Sequence, residues 1–292
     1  MKNVKNVKNK KKDNTSEIVP ERSPERLAIL EKIKEYEKNG WFDRDVEPDP
    51  PTRPLEAGEV DYTLEKFSSR VSSEIANFCA KTYFDTLIRK GILVIDEVRG
   101  LENYRAVDGG AIITCNHFNP FDNYAVFKVI EKDLGRRRLY KVIREGNYTS
   151  FPGLFGYFFR NCNTLPLASS VSVMKEFSKA ITKLLDRGEK ILIYPEQAMW
   201  WNYRKPRPLK KDPFLMAAKN SAPVIPFFIT MRDTETIGGD GFPIQGYTVH
   251  ILPAIYPDKE KNPRENAEIM RNKNFEVWKE LYESVYGEEL SY

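Results

Sequence analysis

The segment Ala111-Ile-Ile-Thr-Cys-Asn-His-Phe-Asn-Pro-Phe-Asp122 decides how the chain is read. Five residues of strand character run into a turn carrying Asn116 and His117, and Asn119-Pro120 opens a helical pattern that extends to Leu134. A strand that presents a histidine at its C-terminal edge and passes into a helix belongs to an α/β sheet, and open sheets of that class bind ligands at that edge. Asp122 follows His117 by five positions, and the bend between them can bring carboxylate to imidazole. A carboxylate on one ring nitrogen fixes the tautomer and stabilises the imidazolium, so the other nitrogen can take a proton from an attacking hydroxyl. The competing reading makes Asn119 an N-cap and Asp122 the third helical residue, completing a capping box beside a turn histidine.

Outward from this segment, β-type runs recur at 92–98, 139–143, 191–194, 224–229 and 248–252. Helical patterns alternate with them, at 171–187 before Gly188 and at 263–287, anchored by Phe275, Trp278, Leu281 and Tyr282. The alternation predicts a single α/β domain over residues 61–292, a mixed, mostly parallel twisted sheet flanked by helices. Residues 62–88 space Leu64, Phe67, Val71, Ile75, Phe78 and Phe84 as an amphipathic helix expected to pack on the core. Residues 23–60 form an N-terminal helical extension. Ser23 is its N-cap, Pro24 its first helical residue, and Leu27, Leu30 and Ile33 recur at helical spacing before Asn39-Gly40. Pro48, Pro50, Pro51 and Pro54 then mark an extended linker. Residues 1–22 carry almost no apolar side chains and are expected to be a disordered basic tail. Phe151-Pro-Gly-Leu-Phe-Gly-Tyr-Phe-Phe159 reads as an apolar loop-like stretch, either packed in the core or facing membrane or acyl chain.

The composition narrows the function classes. At 292 residues with 41% hydrophobic content the chain can bury a core, and no apolar run approaches the ~20 residues of a membrane-spanning helix. Net charge is +4, yet six lysines in the first twelve residues, less Asp13, carry +5 and leave the rest at −1. That balance argues against a nucleic-acid partner and leaves a basic tail on a neutral body. Cys79, Cys115 and Cys162, in contexts that read as core and without a CxxC pair, argue against a disulfide framework or a metal site and point to a reducing cytoplasm. No export signal is evident. The only histidines are His117 and His250, and the alternation around His250 marks it as a structural strand residue.

Asn116-His117-Phe-Asn-Pro-Phe-Asp122 resembles the H-x4-D motif of the glycerolipid acyltransferase family, which includes glycerol-3-phosphate and 1-acylglycerol-3-phosphate acyltransferases. Val98-Arg-Gly-Leu-Glu-Asn103 followed by Gly109-Gly-Ala-Ile-Ile113 resembles the family's approach to that motif. Ile191-Leu-Ile-Tyr-Pro-Glu196 resembles the strand ending in F-P-E, Leu209-Lys210 the F-K step after it, and Ala222-Pro-Val-Ile-Pro226 the V-P-I-V-P element. These landmarks keep the family's order over residues 92–230. The resemblance implies a glycerol-3-phosphate acyltransferase-like fold with His117 as general base, Asp122 orienting it and Glu196 contacting the acceptor. It also implies acyl-CoA or acyl-carrier protein as donor and co-substrate, a lysophosphatidate-like acceptor in phospholipid synthesis, and no bound cofactor or metal. A thioester is already activated, so a positioned base and hydroxyl suffice, with backbone amides of the turn expected to hold the oxyanion.

Two departures bear on the acceptor. The family's F-P-E-G-T-R is Tyr194-Pro-Glu-Gln-Ala-Met199 here, and Asn163-Thr-Leu-Pro-Leu-Ala168 lacks the arginine that closes the second motif. Arginine's fork suits phosphate oxygens, so substitute cations are sought in Arg160, in Arg204, Lys205 and Arg207, and in Lys210. Trp200, Trp201 and Tyr203 beside that basic run favour an interfacial or ligand-facing loop over a solvated one. Otherwise the acceptor is a glycolipid or saccharide hydroxyl, or the chain is a non-catalytic lipid-binding relative. The leading expectation is a cytoplasmic, peripheral membrane O-acyltransferase at an anionic membrane surface. Its lysine tail would act as a tether worth on the order of 1 kcal/mol per lysine near the bilayer.

Overall fold

A computed structural model describes residues 20–48 and 52–292, so most of the basic tail expected at 1–22 lies outside the described residues. The chain opens with α1 (Pro24–Lys38) and α2 (Phe67–Arg89), then β1 (Val94–Arg99), α3 (Leu101–Arg105), β2 (Ala111–Thr114) and α4 (Asp122–Ile130). It continues through β3 (Leu139–Arg144), α5 (Glu145–Ser150), α6 (Gly153–Asn161), β4 (Thr164–Leu167), α7 (Val171–Asp186) and β5 (Lys190–Ile193). It ends with α8 (Asp212–Lys219), β6 (Val224–Ile237), β7 (Pro243–Ile251) and α9 (Pro263–Tyr286).

These elements form a single α/β domain around a seven-stranded sheet of order β1-β7-β6-β2-β5-β3-β4. The run β6, β2, β5, β3 and β4 is parallel throughout, and β7 pairs antiparallel with β6. The mixed, mostly parallel sheet expected from the sequence is present. Every residue of β2 and β5 is buried because helices cover both faces. On one face Ile112, Ile191 and Phe228 meet Phe177 and Leu184 of α7, Phe214 of α8 and Trp278 of α9. On the other, Ile113, Leu192 and Ile229 meet Phe84 of α2 and Tyr124, Val126 and Ile130 of α4. Burying one such Leu, Ile or Phe side chain contributes about 1.5–3 kcal/mol, so this double layer dominates the stability.

Glycines permit two close approaches that the sequence motifs require. A Cβ on Gly100 would lie 2.1 Å from the Ile251 carbonyl oxygen, and one on Gly110 2.1 Å from that of Leu185. Lys190 opens β5 fully buried, donating to the carbonyls of Val107 (3.2 Å) and Gly109 (2.6 Å), and burial pushes its pKa down to about 8. His250 is buried in β7 and paired through Nε2 with the Thr230 hydroxyl at 3.0 Å, and burial lowers its pKa to about 4.

Four expectations are corrected. Residues 151–159 are not a loop: α6 occupies Gly153–Asn161. Phe158 packs inward with Ala76 and Cys162, while Leu154 and Phe155 are exposed. A strand unforeseen in the sequence, β4, pairs with β3 at the sheet edge, where Pro166 is tolerated. Cys79 is exposed rather than in the core. Finally, α2 turns the small residues Ser73 and Ala76 inward along with Phe84, and leaves Phe67 (75%), Val71, Ile75 and Phe78 (71%) exposed. The apolar stripe expected to pack on the core faces outward instead.

Candidate active site

The site forms where β2 and β5 run out at their C-terminal ends. Beyond β2, Asn116 is buried and uses its amide twice, accepting from the Ile229 N–H (2.8 Å) and donating to the Ile229 carbonyl (3.0 Å). The side chain thus continues the β2–β6 ladder after the β2 backbone has turned away, which fixes where His117 emerges.

The structure brings His117 and Asp122 together. Imidazole Nδ1 donates to Asp122 Oδ2 at 2.8 Å, because a carboxylate only accepts. Nε2 therefore carries the lone pair, and among the described residues it has no hydrogen-bond partner. The imidazole is 22% exposed while the aspartate side chain is fully buried. Asp122 Oδ2 also accepts from the N–H groups of Phe118 (3.1 Å) and Asn119 (3.3 Å), and Oδ1 from the Tyr194 hydroxyl (2.6 Å). Such donors offset the cost of burying the carboxylate. The capping reading changes in detail: α4 begins at Asp122, and Asn119 Oδ1 accepts from the Phe121 N–H instead of capping the third residue.

Tyr194, the residue after β5, lies parallel to the imidazole, with ring centroids 3.9 Å apart and planes 17° apart. Burial, reinforced by the Asp122 charge, pushes its phenol well above the ordinary range, so it stays a donor. Burial likewise raises the Cys115 thiol, aided by Asp122 and Glu196, which keeps the sulfur protonated and argues against a thiolate nucleophile here.

Glu196 occupies a different place from the one expected. It is 2% exposed, and its carboxylate accepts from the His117 N–H (3.1 Å), the Arg207 N–H (2.9 Å) and the Arg207 guanidinium (2.8 Å). Arg207, 1% exposed, also donates to the carbonyls of Phe42 (3.0 Å), His117 (3.3 Å) and Ala198. This ion pair lies behind the histidine turn and grips its backbone on both sides. Between them, Gln197 stands where the family pattern has glycine and still adopts a left-handed φ of 67°, a conformation costing a non-glycine residue roughly 1–2 kcal/mol.

The remaining cations do not converge on His117. Arg160 donates to the carbonyls of Tyr148 and Phe151, Arg204 pairs with Asp233 (2.8 Å), Lys205 with Glu37, and Lys210 with Asp43 (2.8 Å). Trp200 and Trp201 are buried, so this stretch is not the interfacial loop their aromaticity suggested. Trp200 packs with Ile33 and Val46 of the N-terminal extension, and its indole N–H donates to the Arg44 carbonyl. Arg144, overlooked in the sequence, ends β3 on the same sheet edge, donating to the Gln197 carbonyl and pairing with Asp45. The amides of His117, Phe118, Asn119, Phe121 and Asp122 are all bonded internally, so the turn does not offer them to an oxyanion in this arrangement.

The 1-acyl-sn-glycerophosphate (LPA) acyltransferase PlsC of Thermotoga maritima aligns with 91% of this chain and 97% of its own, at 17% identity and a TM-score of 0.49. No curated protein sequence matches the chain. Residues 96–230, which contain β2, the His117 turn, β5 and the Glu196–Arg207 pair, match the sequence model of the family named Acyltransferase. Those residues, just under half of the chain, are what it shares with the acyltransferase family.

Proposed function

We propose that the chain is an O-acyltransferase of phospholipid synthesis in which His117 is the general base and Asp122 its orienting partner. The supporting observation is the 2.8 Å Nδ1–carboxylate bond that leaves Nε2 as a base at the sheet edge. Nε2 takes the proton of the acceptor hydroxyl as its oxygen attacks the thioester carbonyl of acyl-CoA or acyl-carrier protein. Collapse of the tetrahedral adduct breaks the carbon–sulfur bond, and the imidazolium returns the proton to the departing sulfur. No metal or cofactor enters this scheme.

Lysophosphatidate is the acceptor the motif resemblance favours. A non-phosphate hydroxyl is the second reading, because Arg204 and Lys210 are paired with Asp233 and Asp43. An acceptor panel with one labelled donor separates them: faster acylation of lysophosphatidate than of a glycolipid or saccharide supports the first, and the reverse order supports the second.

The partner surface we infer is an anionic bilayer reached from the cytoplasmic side. No helix among the described residues is long and apolar enough to cross a membrane. Phe67, Val71, Ile75 and Phe78 of α2, with Leu154 and Phe155 of α6, are exposed apolar side chains, and Lys66 and Arg70 flank them. The two helices touch through Phe155 and Tyr83 (6.0 Å), and Phe84 beside Tyr83 meets Phe121 next to Asp122 (5.8 Å), so apolar contacts connect this face to the site. Replacing Phe67 and Phe78 by serine is expected to weaken sedimentation with phosphatidylglycerol-containing liposomes about tenfold or more. Deleting residues 1–13 is expected to weaken it in a salt-dependent way. Unchanged binding by the double serine variant, or a change of oligomeric state instead, contradicts this assignment.

A further inference from the structure

We propose that Tyr194 is a positioning residue for the His117–Asp122 pair, its hydroxyl holding the carboxylate and its ring holding the imidazole plane. The inference rests on the reading of His117 as the base. The family pattern has phenylalanine at this place, whereas this chain reads Tyr194-Pro-Glu196. The extra oxygen lies 2.6 Å from Asp122 Oδ1, the carboxylate oxygen that the imidazole and the turn amides do not use. With Oδ2 bonded to His117 and to two amides, the bond on Oδ1 fixes the remaining rotation of the carboxylate.

The ring supplies the second constraint. Stacked at 3.9 Å and 17°, it limits rotation of the imidazole about its own axis, and an aromatic face also favours the imidazolium formed during transfer. Among the described residues, other titratable groups face the pair. Cys115 follows β2 and Tyr247 comes from β7, and burial keeps both protonated. Glu196 bonds the His117 N–H, while Arg207 holds Glu196 and the His117 carbonyl. The Tyr194 side chain touches both members of the pair, its hydroxyl on Asp122 and its ring on His117. A hydroxyl on Oδ1 also draws charge away from Oδ2; without it the carboxylate holds the imidazolium more tightly, and the base is neutral only at higher pH.

The test compares full-length wild type with Tyr194→Phe, which keeps the ring, and Tyr194→Leu, which does not. Acyl transfer is followed from pH 5 to 9, with thermal melting as the control for folding. For Tyr194→Phe the expected result is a kcat about threefold to tenfold lower, an unchanged thioester KM, and an acid limb of kcat/KM moved up by about half to one pH unit. Tyr194→Leu should lose more. Imidazole 15N resonances give a readout independent of activity: the sequence has two histidines, and His250, with its pKa lowered to about 4, stays silent above pH 5. The His117 titration should move upward in Tyr194→Phe. A folded Tyr194→Phe protein with an unmoved acid limb and an unmoved His117 titration overturns the proposal. Full transfer by His117→Ala instead overturns the reading of the base, and the 15N titration still decides whether Tyr194 controls the pair.

Discussion

Arg207→Met is expected to destabilise the fold by about 3–5 kcal/mol and to remove acyl transfer with it, because the buried Glu196 carboxylate would lose its charged partner. Both side chains are almost wholly buried, at 1% and 2% exposure, so water cannot compensate. The carbonyls of Phe42, His117 and Ala198 would lose a donor at the same time. Adding Glu196→Leu removes the uncompensated charge and should recover part of the stability, since apolar replacement of a whole buried pair is often neutral. It should not recover activity, because the His117 N–H then loses its acceptor and the turn its register. Thermal melting read beside transfer separates the two effects. A melting temperature near wild type for Arg207→Met would show that the pair does not brace the turn.

His117→Ala has the opposite profile, a large loss of rate in a folded protein. General-base catalysis supplies about 10²–10⁴ in rate, and that is the expected loss. The imidazole is partly exposed and the turn is anchored by Asn116, Glu196 and Arg207, so melting should change little. Asp122→Ala is harsher on structure. It strips the acceptor from two backbone amides and from the buried Tyr194 hydroxyl.

What was legible in the sequence was local. Ala111–Cys115 and Ile191–Tyr194 read as strands by composition, and the five-residue step from His117 to Asp122 allows their contact through one bend, with the family resemblance needed to favour it over a capping box. β4 escaped notice because Thr-Leu-Pro-Leu is short and contains a proline, which only an edge strand accepts. α6 escaped because Pro152, Gly153 and Gly156 lower helix propensity in an apolar stretch without clear periodicity; a Cβ on Gly156 would overlap the Phe151 carbonyl, so close backbone approach explains that glycine.

The misplacements were of long range. Periodicity shows that α2 is amphipathic, but assigning its apolar stripe to the core assumes water on the other side. Trp200, Trp201 and Arg207 resembled a surface loop until the N-terminal extension, far away in sequence, covered Trp200 and Arg207 through Ile33, Phe42 and Val46 and Trp201 through Arg26. Arg207 lies eleven residues beyond Glu196, a spacing that no local motif marks as an ion pair. Tyr194 was visible only as a departure from phenylalanine, and the meaning of its hydroxyl required the position of Asp122.

The most direct measurement is a single-turnover transfer, in which full-length protein in excess is mixed with a labelled acyl thioester and lysophosphatidate in vesicles. The expected result is label passing straight into the product lipid with none retained on the protein, and a rate about 10²–10⁴ lower for His117→Ala at equal folded concentration. A labelled acyl-protein preceding product, or a His117→Ala rate equal to wild type, would contradict base-catalysed transfer at this site.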